Sequence, residues 1–143
     1  MILYRNGLAV ALGWSAAGFL FGLSFVATPV KFLAEGVDLP QLLAVGRVTF
    51  RASALVELAI LVAMMTIVHR EQRHLAISAF AILVVQHGIL LPRLEAQTVA
   101  VMHGAAPTAG LLHGVWIVCD IVRIVLYARL GLLAGNSAKD PKK

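Results

Sequence analysis

Apolar residues in this chain come in long unbroken runs, without the alternation of a half-buried strand or the one-sided stripe of an amphipathic helix. Crossing the hydrocarbon core of a bilayer takes about 20 such residues. Four runs reach or approach that length, roughly Gly7 to Val30, Ala44 to Val68, Leu75 to Pro92 and Thr108 to Leu133. The second is interrupted by polar residues near its start. The third is short but extends through Pro92. His69-Arg70-Glu71-Gln72-Arg73-His74 reads as a polar turn between two helices. Asp38-Leu39-Pro40 reads as a helix start, with Asp38 capping and Pro40 in the first turn. The pattern predicts an all-α bundle of four transmembrane helices over residues 1–135, with a polar tail over 136–143.

Composition moves the picture towards lipid. Of 143 residues, 60% are hydrophobic and 13% charged, against about 25% charged in a typical soluble domain. One small core cannot hide that excess. The net charge of +5 lies at the ends of the apolar runs, which suits anionic lipid head groups. No basic stripe interleaves with aromatics, which argues against nucleic acid. Arg5, Arg70, Arg73, Arg129, Lys139, Lys142 and Lys143 fall on one side; Lys31, Arg47, Arg51 and Arg93 fall on the other. The positive-inside rule makes the first side cytoplasmic, with both termini inside an inner membrane of bacterial type. The first run is too long for the apolar part of a secretory signal and reads as a retained helix. Cys119 has no second cysteine and reads as a packing residue.

Several ionisable residues interrupt the runs. At about 1.5 Å per residue from the inner boundary, Glu57 lies about 18 Å deep, His87 about 21 Å, Asp120 about 13 Å, Arg123 about 9 Å and His113 about 24 Å. A charge at such depth costs at least about 2.5–3.5 kcal/mol, so these groups should turn inward and pair. His113 and Asp120 are seven apart on one helix face, and Asp120 and Arg123 are three apart. Together they predict one inward polar stripe. Glu57 has no partner on its own helix. It needs one from another, with Arg123 or a histidine at suitable depth, or else is a protonated, hydrogen-bonded carboxyl. Glu57, His87, His113, Asp120 and Arg123 therefore define a candidate ligand or ion pathway, set against the alternative of a purely structural pair.

His87 and His113 on two spans also raise haem b ligation, although no CxxCH motif occurs and core histidines are common. Metal-ligand spacings are absent from the sequence. At the outer mouth Lys31, Arg47, Arg51 and Arg93 form a candidate anion-binding set for a head group or carboxylate, unless Glu35, Asp38 and Glu95 neutralise them. Gly18/Gly22, Gly110/Gly114 and Gly131/Gly135 fit GxxxG. They predict close packing within the bundle first and an oligomer seam second. Tyr4 and Tyr127 suit the inner interface.

The order of short motifs also resembles a known group. Gly22-Leu23-Ser24-Phe25-Val26-Ala27-Thr28-Pro29-Val30-Lys31-Phe32 ends the first run, Gly46 and Phe50 open the second, Leu91-Pro92-Arg93-Leu94 ends the third, and Leu112-His113-Gly114 starts the fourth. This is similar to the four-helix integral membrane proteins of a bacterial family of unknown function related to a eukaryotic TMEM protein. The resemblance implies the architecture and carries no activity. The threonine and lysine within Ala27–Phe32, and the strong polarity of Asp120 and Arg123, depart from that pattern.

Function is expected to be non-enzymatic handling of a small solute, proton or lipid-like ligand through the polar interior. The alternatives are an accessory or assembly subunit of a larger membrane complex, and a haem- or quinone-binding module. No catalytic order, phosphate-cradling loop or resident cofactor is indicated. The partners implied are the bilayer and either further copies of the chain or a larger complex.

Overall fold

The computed structural model describes residues 2–106 and 110–139, with side chains for 4–106 and 110–137. The described elements are all helical. They run α1 (Ile2–Phe21), a wide turn (Gly22–Ala27), α2 (Thr28–Val30), a 3-10 turn (Lys31–Leu33), α3 (Leu39–Ile67), a 3-10 turn (Arg70–Gln72), α4 (Arg73–Val85), a second wide turn (Gln86–Leu90), α5 (Leu91–Met102) and α6 (Leu111–Lys139). Joined end to end they make four rods. Three of these, Tyr4–Leu33, Leu39–Ile67 and Arg70–Met102, are long and apolar enough to cross a membrane. The expected start of the fourth run at Thr108 and the tail beyond Lys139 lie outside the described residues.

The two wide turns follow from the prolines. A proline inside a helix lacks the N–H of the i→i−4 ladder, and its ring crowds the carbonyl four residues back. Immediately before Pro29 the Thr28 N–H reaches back five residues to the Leu23 carbonyl. Immediately before Pro92 the Leu91 N–H reaches back five to Gln86. One extra residue per turn shifts the ladder so that each ring meets no obligatory partner, and the helix continues. For this reason the third rod does not stop near Pro92 but runs on to Met102.

The second rod starts at Leu39, five residues before the apolar run. Asp38 stands at its N-cap, but the side chain makes no cap bond. The first turn is tied by the Asp38 carbonyl, which accepts from the Gln41 and Leu42 N–H groups. The expected side-chain cap is replaced by this backbone turn, with Pro40 needing no partner in it.

α1 packs on α6 and α3, while α4 packs on α3 and α6, closing a four-rod ring. The core is built from Ala9, Ala16, Ala17, Leu20, Leu61, Met64, Tyr127, Leu130 and their neighbours. Arg5 donates to the Ile67 carbonyl at 3.0 Å, and His69 meets the Asn6 amide oxygen at 3.0 Å. A Cβ on Gly135 would touch Val10. The start of α1, the end of α3 and the end of α6 thus share one end of the bundle. Outward faces carry large apolar side chains, Val48 and Leu55 each being 69% exposed. Continuous apolar exposure of this kind marks a lipid-facing surface.

The glycine pairs behave differently from one another. A Cβ on Gly18, Gly22 or Gly114 would meet nothing within 4 Å, so these glycines do not close the bundle. They face away from it because the inward residues at those levels are Ala17, Leu20 and Trp116. Gly131 and Gly135 do pack inward, and the tightest approach to another helix's backbone falls at a glycine outside any GxxxG pair. A Cβ on Gly13 would lie 2.7 Å from the Gly131 nitrogen and 2.9 Å from the Tyr127 carbonyl oxygen. Two backbones touch there. Gly13→Ala should therefore lower stability by about 1–3 kcal/mol through overpacking, whereas Gly18→Ala should leave it near wild type; unfolding of both variants in one detergent checks the contrast.

Candidate functional site

Arg123 is the centre of a polar cluster inside the bundle. It lies on α6 with 1% of its surface exposed. One arm of its guanidinium donates to Glu57 Oε2 on α3 at 2.5 Å and the other to Asp120 Oδ1 at 2.6 Å. Asp120 stands one turn earlier on the same helix, so the three-residue spacing brings the two side chains together. Each remaining carboxylate oxygen also has a donor. Tyr127 Oη donates to Glu57 Oε1 at 3.1 Å, Ser24 Oγ to Asp120 Oδ2 at 2.7 Å, and Gln86 Nε2 to Asp120 Oδ1 at 2.9 Å. Gln86 Nε2 also reaches the Trp116 carbonyl at 3.2 Å. Burying two carboxylates and a guanidinium is tolerated only when geometry and extra hydrogen bonds are this complete.

The wide turns place two of these donors. Ser24 belongs to the first and Gln86 to the second, and both reach Asp120. The detour that accommodates each proline thus also delivers a hydrogen bond to the cluster. Neither residue stands out in sequence, because a serine and a glutamine inside apolar runs read as tolerated interruptions. For Gln86 the available signal was an uncharged polar side chain at mid-span beside His87. Tyr127 is fully buried with its hydroxyl on Glu57, not at an interface. It sits one turn beyond Arg123 on the same inward face.

His87 and His113 part company. His87 donates from Nδ1 to the Leu83 carbonyl at 3.1 Å and packs edge-on against Trp116. Its Nε2 and the Arg123 Nε are buried without a protein partner. Both residues line a small cavity of about 10 Å³, the space that one water occupies. An acceptor and a donor facing that space match the two bonds of one bridging water. His113 is exposed and its ring makes no hydrogen bond among the described residues. It lies in the first turn of α6, at the rim of a larger cavity, and shares that cavity's wall with Asp120. The seven-residue spacing does put both on one face, but the polar stripe stops at Asp120 because His113 stands above the packed part of the bundle.

The larger cavity holds about 430 Å³. It opens at the end of the bundle opposite the chain termini, and its lining is largely apolar. All four segments of the sequence resemblance reach it: Ser24 to Phe32 from the first rod, Gly46 and Phe50 from the second, Leu91 and Leu94 from the third, and His113 from the fourth.

Of the four outer cations, Lys31 and Arg47 line the cavity. Arg51 donates to both oxygens of Glu95, from Nε at 2.8 Å and from Nη2 at 2.7 Å. Arg47 Nε lies 3.8 Å from Glu95 Oε1 and makes no hydrogen bond. Arg93 bonds the Ile89 carbonyl of its own rod and lies outside the cavity wall. Glu35 and Asp38 are exposed and join no ion pair among the described residues, so Glu95 does the neutralising. No group of three or more metal-ligating side chains occurs among the described residues. Comparison with family models, curated proteins and solved structures gives no match.

The cluster should respond unequally to loss of its members. Arg123→Leu strands two buried carboxylates and should cost about 3–5 kcal/mol. Asp120→Asn leaves the Glu57–Arg123 pair intact and should cost clearly less. Unfolding in detergent of the two single variants and the double variant would measure both the order and the coupling.

Proposed function

We propose that the chain is a four-span protein of an inner membrane, with both termini on the cytoplasmic side, that binds a small, largely apolar, lipid-like ligand without transforming it. α6 makes the fourth span, because its 29 residues extend about 43 Å at helical rise and its mid-helix charges, Asp120 and Arg123, are buried in the bundle. The arginine and lysine asymmetry of the sequence supports the orientation. The observation that carries the ligand reading is the cavity itself. It is of ligand size, about 430 Å³, and is walled by apolar and aromatic side chains with few polar groups, the usual make-up of a small-molecule site.

The saturated cluster supports a binding role over a catalytic one. Every oxygen of Glu57 and Asp120 is already engaged, so neither carboxylate faces the cavity as a free base. The cluster instead fixes the cavity floor by tying all four rods to one point.

Filling the cavity tests the reading. Leu94 lines it from α5, and Leu94→Trp should displace the occupant while leaving the cluster intact. Mass spectrometry of solvent extracts should find a small apolar molecule retained by the wild-type protein and depleted at least about tenfold in a folded Leu94→Trp variant. Equal extracts from the two would remove the cavity as a binding site.

A further inference from the structure

We infer that the cavity selects a single-chain carboxylic acid, a fatty-acid-like monoanion, whose head is held by Lys31 and Arg47. The inference rests on the ligand-binding reading above and adds the chemical class of the ligand.

Two cationic donors on this cavity wall make no hydrogen bond. Arg47 Nε is buried and stands 3.8 Å from Glu95 Oε1, too far to be bonded to it. The Lys31 side chain makes neither a hydrogen bond nor an ion pair among the described residues. Its ammonium rests 4.9 Å from the centre of the Phe32 ring and 6.0 Å from that of Phe50. Ring faces attract a cation weakly and leave its three N–H donors unfilled. Gly46 makes this position available. A Cβ there would collide with the Lys31 ammonium, so the absence of a side chain lets the lysine lie across α3 and point along the cavity wall.

Charge narrows the head group. Around the cavity and its floor stand four cations, Lys31, Arg47, Arg51 and Arg123, and three carboxylates, Glu57, Glu95 and Asp120. Arg51 and Glu95 satisfy each other in a bidentate pair, and Arg123 is consumed by the cluster. Lys31 and Arg47 then carry two positive charges and the cluster one net negative charge, so rim and floor together hold one positive charge in excess. A carboxylate supplies the one negative charge required, whereas a phosphate monoester brings about 1.5 to 2. Volume narrows the tail. A cavity of about 430 Å³ is of ordinary small-ligand size and takes one aliphatic chain.

The test uses the full chain in phosphatidylcholine nanodiscs and binding of palmitic acid, methyl palmitate and palmitoyl lysophosphatidic acid. Palmitic acid should bind at least about tenfold more tightly than its ester, about 1.4 kcal/mol. Lys31→Met and Arg47→Gln should each remove most of that preference, read as the ratio of acid to ester affinity. Gly46→Ala should weaken the acid in the same way by displacing the Lys31 ammonium, a shift the flexible side chain makes without loss of fold. Equal binding of acid and ester, insensitive to Lys31→Met, would overturn the head-group assignment and leave the cavity reading standing. Tighter binding of the lysophosphatidic acid would replace carboxylate by phosphate and overturn the stated class. If neither acid nor ester binds the wild type, the class is wrong, and the extract comparison with Leu94→Trp decides separately whether the cavity binds anything.

Discussion

One guanidinium holds this molecule in register. Arg123 bridges Glu57 of the second rod and Asp120 of its own, and Asp120 is held in turn by Ser24 of the first rod and Gln86 of the third. All four rods therefore meet at a single hydrogen-bonded point. Between apolar helices in lipid there is little hydrophobic drive to choose one rotation or sliding position over another. A buried polar cluster supplies that choice, because a shift by one residue would strand at least one ion in low dielectric. The glycine contact between Gly13 and Gly131 gives closeness to one pair of helices; the cluster gives register to all of them.

The prolines connect local backbone chemistry to this cluster. Without a wide turn, Pro29 and Pro92 would each break an i→i−4 bond and bend or end the rod. With it, the rods continue and the side chains just before each proline are rotated by the added residue. Ser24 and Gln86 lie in those turns and face Asp120, while Lys31 and Leu94 follow the prolines and line the cavity. The same two irregularities thus mark the boundary between packed core below and ligand-sized space above.

Much of this arrangement was legible in the residues. Unbroken apolar runs give the rods, since their length is a direct consequence of bilayer thickness. The need of Glu57 for a partner on another helix, with Arg123 at suitable depth, follows from the cost of an unpaired charge in lipid. What was not legible depends on rotation about a helix axis. Depth along a span is set by counting, but the direction of a side chain depends on neighbours and on turns that add a residue. Tyr127 therefore read as an interface aromatic and is a buried donor. Gly18 and Gly22 fit a packing motif and face outward, while Gly13 matches no motif and makes the closest backbone contact. His113 shares the face of Asp120 but stands above the packed core. Asp38 occupies the N-cap, yet the backbone carbonyl ties the first turn, because a turn through Pro40 already satisfies the available N–H groups.

The division of polar groups between cluster and cavity has a directional consequence. The cluster carries two carboxylates against one guanidinium, a surplus of negative charge at the cavity floor. The rim carries Lys31, Arg47 and Arg51 against Glu95, a surplus of positive charge at the other end. Between them lies a largely apolar wall of low dielectric, in which such a field is weakly screened. An amphiphile entering with its anionic head towards Asp120 would meet repulsion and fully occupied acceptors. With the head towards Lys31 and Arg47, it meets two donors that lack acceptors, and its chain runs back towards Trp116 and Phe50. On the proposed reading, the field would orient the ligand as well as admit it. Both properties depend on the Asp120 oxygens staying engaged by Ser24, Gln86 and Arg123.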